Sequence, residues 1–327
     1  MTPLELFHHL DKDVKVVTKK AKRSQCVKPE RIEKEMKRVI AWWSGGIASA
    51  VACQKAIELF SSDYNVEVVF IDTKNEHEDT YRFLDDCSNI YKKEIKVISN
   101  EKYSNIKEVW RKYNSLNVAK GAICSSQLKK DVRVKYQDIE NDYSQVFGFD
   151  YSKSEQNRAK NMLKNYPEIN PNFPLIDFKY TKEDCIKEVE SWGIRVPLTY
   201  ELGFRNNNCF KTGCVQGGIG YWQKIKRDFP EKFRDMANIE RELSIKNGKP
   251  ITICSDQSKG KKVRLFLEAM DEFPDVLDIS SKKGREPETL MECNGFCSTE
   301  EQLDLFDDIL TEIKETNTLN LKELRKK

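Results

Sequence analysis

Histidine is nearly missing from this chain: His8, His9 and His77 are the whole supply in 327 residues. Any metal site must therefore be built mainly from thiolates. Long apolar runs are missing too. No stretch approaches the roughly 20 residues that cross a bilayer, and the N-terminus lacks a signal-peptide core. A cytoplasmic protein with no membrane partner is expected. Neither sign of charge dominates, since 56 Lys+Arg against 53 Asp+Glu leave a net +3. That balance alone does not mark a binder of polyanions. Both G-x-G-x-x-G and the Walker A Gly-Lys-Ser/Thr are absent, which sets aside the two commonest glycine-rich phosphate motifs. There is no internal repeat and no low-complexity region.

What is present is uneven. Residues 12 to 38, "KDVKVVTKKAKRSQCVKPERIEKEMKR", hold eleven Lys/Arg and four Asp/Glu. This is either a basic arm for RNA, DNA or another polyanion, or a solvated lead-in. Cysteine is plentiful, with ten residues, in a chain expected in a compartment where disulfides are rare. Cys53, Cys87 and Cys185 sit in apolar or helical contexts and read as core residues. Cys26 and Cys254 show no partner pattern. Cys124, Cys209, Cys214, Cys293 and Cys297 lie in stretches rich in Gly, Asn and Ser, where metal binding or redox chemistry is plausible.

From residue 38 onward, short β-branched runs alternate with helical patterns. "RVIAWW", "VEVVFID", "IKVIS" and "SQVFGF" each precede a helix-like segment. Strands of this kind separated by helices imply an α/β fold with a doubly wound parallel sheet. After "NPNFPLIDF" the pattern becomes mainly helical and cysteine-rich. Thr181 reads as an N-cap, Pro230 interrupts a long helix, and residues 254 to 262 and 280 to 288 read as loops. Four segments are expected: a basic extension 1–37, a nucleotide-binding α/β domain 38–178, a helical cysteine-rich region 179–297 and a charged helix 298–327.

The first strand ends in "WWSGGIASA" (residues 42 to 50). Two readings stand for this turn. It is an ordinary strand-to-helix connection, or it is a phosphate cradle, in which glycines let the backbone approach and the helix N-terminus supplies N–H groups. The next strand ends in Asp72. In a doubly wound sheet ligands bind at the carboxyl ends of the strands, so Asp72 would share a crevice with Ser44 and could hold a ribose hydroxyl or magnesium. His77 and Glu76 follow in the same loop, and His77 reads best as an ordinary polar loop residue before a helix.

Several ordered segments resemble one family. "SGGIAS" resembles the PP-loop of the ATP-pyrophosphatase (adenine nucleotide α-hydrolase-like) superfamily, and "IDTKNEHEDTYRF" a segment of its phosphoadenosine-phosphosulfate-reductase branch. "CSSQLKKD", "GFDYSKSEQNRAKNM" and "NNNCFKTGCVQGGIGYWQKIKRDFPEKF" are similar to further segments of that branch or of a phage and bacterial subgroup. The resemblance implies an adenine nucleotide, ATP or a relative, with its phosphates on Ser44, Gly45, Gly46 and Ser49. Lys129, Arg133 and Arg158 become phosphate partners by charge, with Glu155 orienting Arg158 one helical turn away. Two positions depart from the pattern: Ala48 stands where many ATP-using members carry an acid, and "ECNGFC" (292 to 297) differs from the reductases' C-terminal motif at Asn294 and Cys297.

The pairs Cys209/Cys214 and Cys293/Cys297 could build one four-thiolate site for zinc or for a [4Fe-4S] cluster, with Cys124 as a substitute ligand or a reactive thiol. The resulting expectation is an enzyme that adenylates a substrate with release of pyrophosphate, using Mg2+, and couples this to sulfur transfer. A nucleic acid (tRNA or DNA) would be the acceptor and a sulfur-donor protein a partner. Two other readings stay open: a sulfonucleotide reductase with Cys293 as nucleophile, and a non-catalytic nucleotide sensor or defence-complex subunit.

Overall fold

The computed structural model describes residues 36–118, 121–207, 209–258 and 260–285. Cys26, Cys293, Cys297, the basic stretch up to residue 35 and the tail from residue 298 lie outside the described residues. Along the chain, β1 (Arg38–Trp43) leads into α1 (Ile47–Phe60), β2 (Asn65–Asp72) into α2 (Glu78–Tyr91), and β3 (Ile95–Ser99) into α3 (Ile106–Tyr113). A short antiparallel pair, β4 (Asn117–Val118) and β5 (Gly121–Ala122), precedes a continuous helical run. That run is α4 (Ile123–Ser125), a π-helical segment Ser126–Lys130, and α5 (Asp131–Tyr136). Next come β6 (Asp142–Val146), α6 (Lys153–Asn165), β7 (Pro171–Asn172), α7 (Pro174–Asp177), α8 (Lys182–Ser191) and α9 (Leu198–Glu201). The described chain closes with α10 (Ile219–Asp228), α11 (Pro230–Asn247) and a hairpin of β8 (Cys254–Asp256) and β9 (Val263–Leu265).

The central sheet runs β3–β2–β1–β6–β7 with every pair parallel. Its strands are apolar on both faces because both faces are covered. Val39, Ala41 and Trp43 join a core with α1, α2 and α8, while Ile40 and Trp42 join a second core with α5 and α6. The connections before β3 thus pack on one side of the sheet and those around β6 on the other, which is the doubly wound arrangement read from the sequence. Strand order reverses between β1 and β6, and at that switch point the carboxyl ends of two neighbouring strands part to leave a crevice.

A third core holds the helical, cysteine-rich part. Trp110, Leu116, Leu128, Phe204, Trp222, Phe233 and Leu243 pack there together with Cys124, Cys209, Cys214 and Cys254. Cys53, Cys87 and Cys185 are buried in the core beneath α1, as their apolar contexts suggest. The helix starts follow local chemistry. Thr181 caps α8 in a reciprocal pair with Asp184, and Pro230 ends α10 and opens α11 from its first position. α8 lies beyond residue 178 yet packs on α1.

One stretch differs from its sequence reading. Residues 254 to 262 read as loop, but Cys254–Asp256 pairs with Val263–Leu265. The strands are too short and too polar to show alternation, and a buried carboxylate supplies the order instead. Glu240, on α11, accepts the Ile253 N–H at 2.7 Å and the Leu267 N–H at 2.6 Å, on either side of the hairpin. Burial pushes its carboxyl up to about 8, against the pull of those two donors. A folded-state value above the unfolded one means that stability is fully present below about pH 4.5 and falls as pH rises towards 8. Urea midpoints should therefore decline across this window in the native sequence and decline less in Glu240→Gln.

The sheet meets α1 at one tight point. A Cβ on Gly148, just past β6, would run into the Cα and N of Ser49 in the first turn of α1. Backbone cannot retreat as a flexible side chain does, so Gly148→Ala should destabilise the fold by about 1–3 kcal/mol, measured as a shift in the denaturation midpoint at constant slope.

Candidate functional site

The turn after β1 is shaped by two glycines and two serine hydroxyls. Gly45 has φ +87°, and a Cβ there would also meet the Thr80 methyl at 2.9 Å. Gly46 is the N-cap of α1 and has no side chain to occupy the cap. Ser49 lies 2% exposed; its Oγ accepts the Ser44 N–H at 2.9 Å and bonds the Gly46 carbonyl at 2.8 Å. The Ser44 hydroxyl lies 3.0 Å from the same oxygen. This folds the turn over the helix end, where backbone donors and the positive end of the helix dipole coincide. Tyr200, from α9, places its hydroxyl within 3.3 Å of the Ile47 N–H, so a polar group already sits on that helix end.

At the end of β2, Asp72 accepts the Lys74 N–H at 2.7 Å and the Tyr81 hydroxyl at 3.1 and 3.2 Å. Burial and the neighbouring Asp72 carboxylate push the Tyr81 hydroxyl's pKa up, so it stays a donor. His77 caps α2, its Nδ1 accepting the Asp79 N–H, as an ordinary polar residue before a helix would. Glu76 is 1% exposed and takes a 2.8 Å bond from the Thr73 hydroxyl.

At the end of β6, Asp150 caps the turn into α6. Arg158 there lies over the Phe149 ring at 4.4 Å and reaches both Glu155 oxygens at 3.0 Å. Lys129 is buried in the π-helical segment, a distortion common at functional sites, which packs against β2. Arg133 has a different environment. It donates to Gln137, which also accepts from Gln145, whose oxygen in turn takes the Trp42 indole N–H. Burial brings the Arg133 guanidinium down to about 10. The residue closes a buried polar chain beneath the sheet.

Two segments join the ends of β1 and β2 to the cysteine loop. The Asn207 amide donates to the Gly45 carbonyl at 2.8 Å and to Thr80 Oγ1 at 3.0 Å, and accepts from Thr199 Oγ1 at 2.9 Å. The Asn75 carbonyl accepts from Phe210 and Lys211, and its side chain bonds Thr212 at 2.8 Å. Cys209 lies 3.8 Å from the Thr73 hydroxyl. Cys124, Cys209 and Cys214 share one core, but among the described residues no three metal-ligating side chains gather closely enough to hold an ion. The described thiols alone therefore do not make a site. The described chain ends at Arg285, held against α10. A Cβ on Gly220 would collide with the Arg285 backbone, and Gln223 bonds the carbonyls of Ile279 and Lys282.

Sequence reasoning passed over Asn207, Thr73, Thr80 and Tyr200. Nothing in spacing or composition distinguishes one asparagine of "NNNC", whereas Gly148 stood inside a quoted segment. Removing the Ser49 hydroxyl strands the Ser44 N–H, so Ser49→Ala should cost about 1–3 kcal/mol, read from thermal or urea unfolding.

Residues 38–171 match the family model described as phosphoadenosine phosphosulfate reductase domain. An uncharacterized protein of Methanocaldococcus jannaschii is 24% identical over 225 residues, covering 66% of this chain and 44% of that protein. The chain thus spans under half the length of the curated relative it matches. Among solved structures, U34-tRNA thiolase NcsA from Methanococcus maripaludis with its [4Fe-4S] cluster aligns over 78% of this chain and 86% of that one. The identity is 14% and the TM-score 0.37. No helix among the described residues is long and apolar enough to cross a membrane.

Proposed function

We propose, for a chain whose residues 38–171 match the family model described as phosphoadenosine phosphosulfate reductase domain, an enzyme that binds ATP or a related adenine nucleotide and activates an acceptor by adenylation, as the first half of a sulfur transfer. The observation that carries this reading is the Ser44–Ser49 turn. Its N-cap, Gly46, offers no capping side chain at the sheet's switch point, where the Tyr200 hydroxyl meets the Ile47 N–H.

In this reading the phosphates rest on the backbone of Ser44, Gly45 and Gly46 and on the Ser49 side. An acceptor oxygen attacks the α-phosphate, forming a new P–O bond while the bond to the leaving pyrophosphate breaks. The chain contributes position and charge: backbone N–H groups, Lys129, and Arg158 held over Phe149. Arg133 braces the sheet from below. Asp72 is placed for a ribose hydroxyl or for magnesium brought with the nucleotide. The basic stretch 12–38 favours a nucleic acid, tRNA or DNA, as acceptor. Cys209 and Cys214, with Cys293 and Cys297, would hold zinc or a [4Fe-4S] cluster, which when bound would supply a thiolate-ligated metal for sulfur chemistry; Cys124 is the alternative ligand.

The matching family model favours one second reading, reduction of a sulfonucleotide with Cys293 as nucleophile. The two separate by product. Pyrophosphate released from ATP only when tRNA or DNA is present supports adenylation, and Arg158→Ala should then slow it about 100-fold or more. Sulfite released from a sulfonucleotide with a thiol reductant supports the second reading and overturns the first. Metal and sulfide analysis of anaerobically purified protein tests the thiolate site: Cys209→Ser and Cys293→Ser should each lower the metal content, and unchanged content in both rejects a shared site.

A further inference from the structure

We infer that Asn207 is a positioning residue that couples occupancy of the phosphate cradle to the order of the Cys209 loop. The inference rests on the cradle reading above. Asn207 is 4% exposed and its carboxamide spends both ends on the site's framework. The Nδ2 group donates to the carbonyl of Gly45, the residue at φ +87° in the centre of the turn, and to Thr80 on α2. The Oδ1 atom accepts from Thr199, next to Tyr200, whose hydroxyl lies on the first amide of α1. Two residues further along the chain is Cys209.

A phosphate held by the Gly46 amide pulls on the peptide whose carbonyl Asn207 grips. A peptide unit is planar, so reorienting its N–H moves its carbonyl with it. The Gly45 carbonyl can therefore shift only by carrying the carboxamide along or by breaking a buried hydrogen bond, which is costly. Carrying it along shifts the chain that leads into Cys209. The tethers of the cysteine loop from Thr73 and Asn75 run to the β2 loop and not to the cradle. The arrangement gives the sulfur-handling loop a way to tighten when nucleotide is present.

Hydrogen exchange resolved by peptide tests this on the full chain, purified as it is, with and without ATP. In the native sequence ATP should slow exchange both in the cradle peptide, residues 44–60, and in the peptide 204–216. The second effect should be about fivefold or more, the lower end of ordinary coupling between sites. Asn207→Asp keeps the acceptor for Thr199 but turns a carboxylate towards the Gly45 carbonyl, and Asn207→Leu removes all three bonds. With ATP raised until the cradle peptide of each variant is again slowed, the slowing in 204–216 should be lost in both. A variant whose cysteine loop still responds overturns the coupling, because ATP then orders that loop by another route. If ATP slows the cradle of the native protein but leaves 204–216 unchanged, the coupling fails and the cradle reading stands. If ATP slows neither peptide, the cradle reading itself fails. Should both variants fail to fold, Thr199→Val decides. It is isosteric, releases only Oδ1, and should weaken the response of 204–216 while the cradle response stays; an undiminished response there overturns the inference.

Discussion

The site depends on one close approach, where the backbone after β6 lies directly against the first turn of α1 at Gly148 and Ser49. A parallel sheet spaces its strands evenly, but it does not by itself fix how a following helix enters. Here the helix is pressed onto the neighbouring strand's exit, and only a residue without a side chain permits that distance. Ser49 is thereby locked in place, and its hydroxyl in turn holds the Ser44 amide and the Gly46 carbonyl. The turn's shape follows from packing beneath it rather than from flexibility of its own glycines.

From this point the framework spreads outward in two directions. Towards β2, Thr80 fills the space that Gly45 leaves open and shares Asn207 with it. Towards the helical part, the segment 195–200 is tied back to the head of α2, where Asp79 accepts from Arg82, Arg195 and the Leu198 N–H. Arg82, the largest influence, together with these neighbours holds the Asp79 carboxyl down at about 2, so the tie stays charged across the physiological range. The cysteine loop is therefore not an appendage. It is stitched to the ends of β1 and β2 by buried side chains, each with its hydrogen bonds accounted for.

Much of the sheet was legible in the sequence because the physics there is local and repetitive. β1 reads as apolar on both faces because Trp42 and Trp43 each meet a separate core. That the glycine turn and Asp72 stand at the carboxyl ends of neighbouring parallel strands was legible from the alternation of strands and helices. Other features depend on partners far away in the chain. Arg133 and Arg158 look alike as isolated cations, yet one closes a buried chain through Gln137 while the other stands over Phe149 beside Glu155. The β8–β9 hairpin was invisible because a single carboxylate on α11 organises it, and no periodicity records that. Asn207 was invisible for the same reason.

The alanine at position 48 acquires a definite meaning in this setting. It is 1% exposed and belongs to the apolar core formed by β1, β2, α1 and α2. Its backbone forms part of the surface that Gly148 touches. A carboxylate introduced on that side would enter a desolvated environment and stay neutral or force the core apart. This chain therefore does not place an acid at the start of α1. The acids at its strand ends are Asp72, engaged by Tyr81 and Lys74, and Asp150, engaged by Ser152. On the reading proposed above, a cation accompanying the nucleotide would be met by acids on the β2 and β6 sides of the crevice, since α1 carries no acid in its first turn. The alanine leaves the first turn of α1 without an acid, and leaves backbone N–H groups and the Ser44 and Ser49 hydroxyls as the polar groups of the turn.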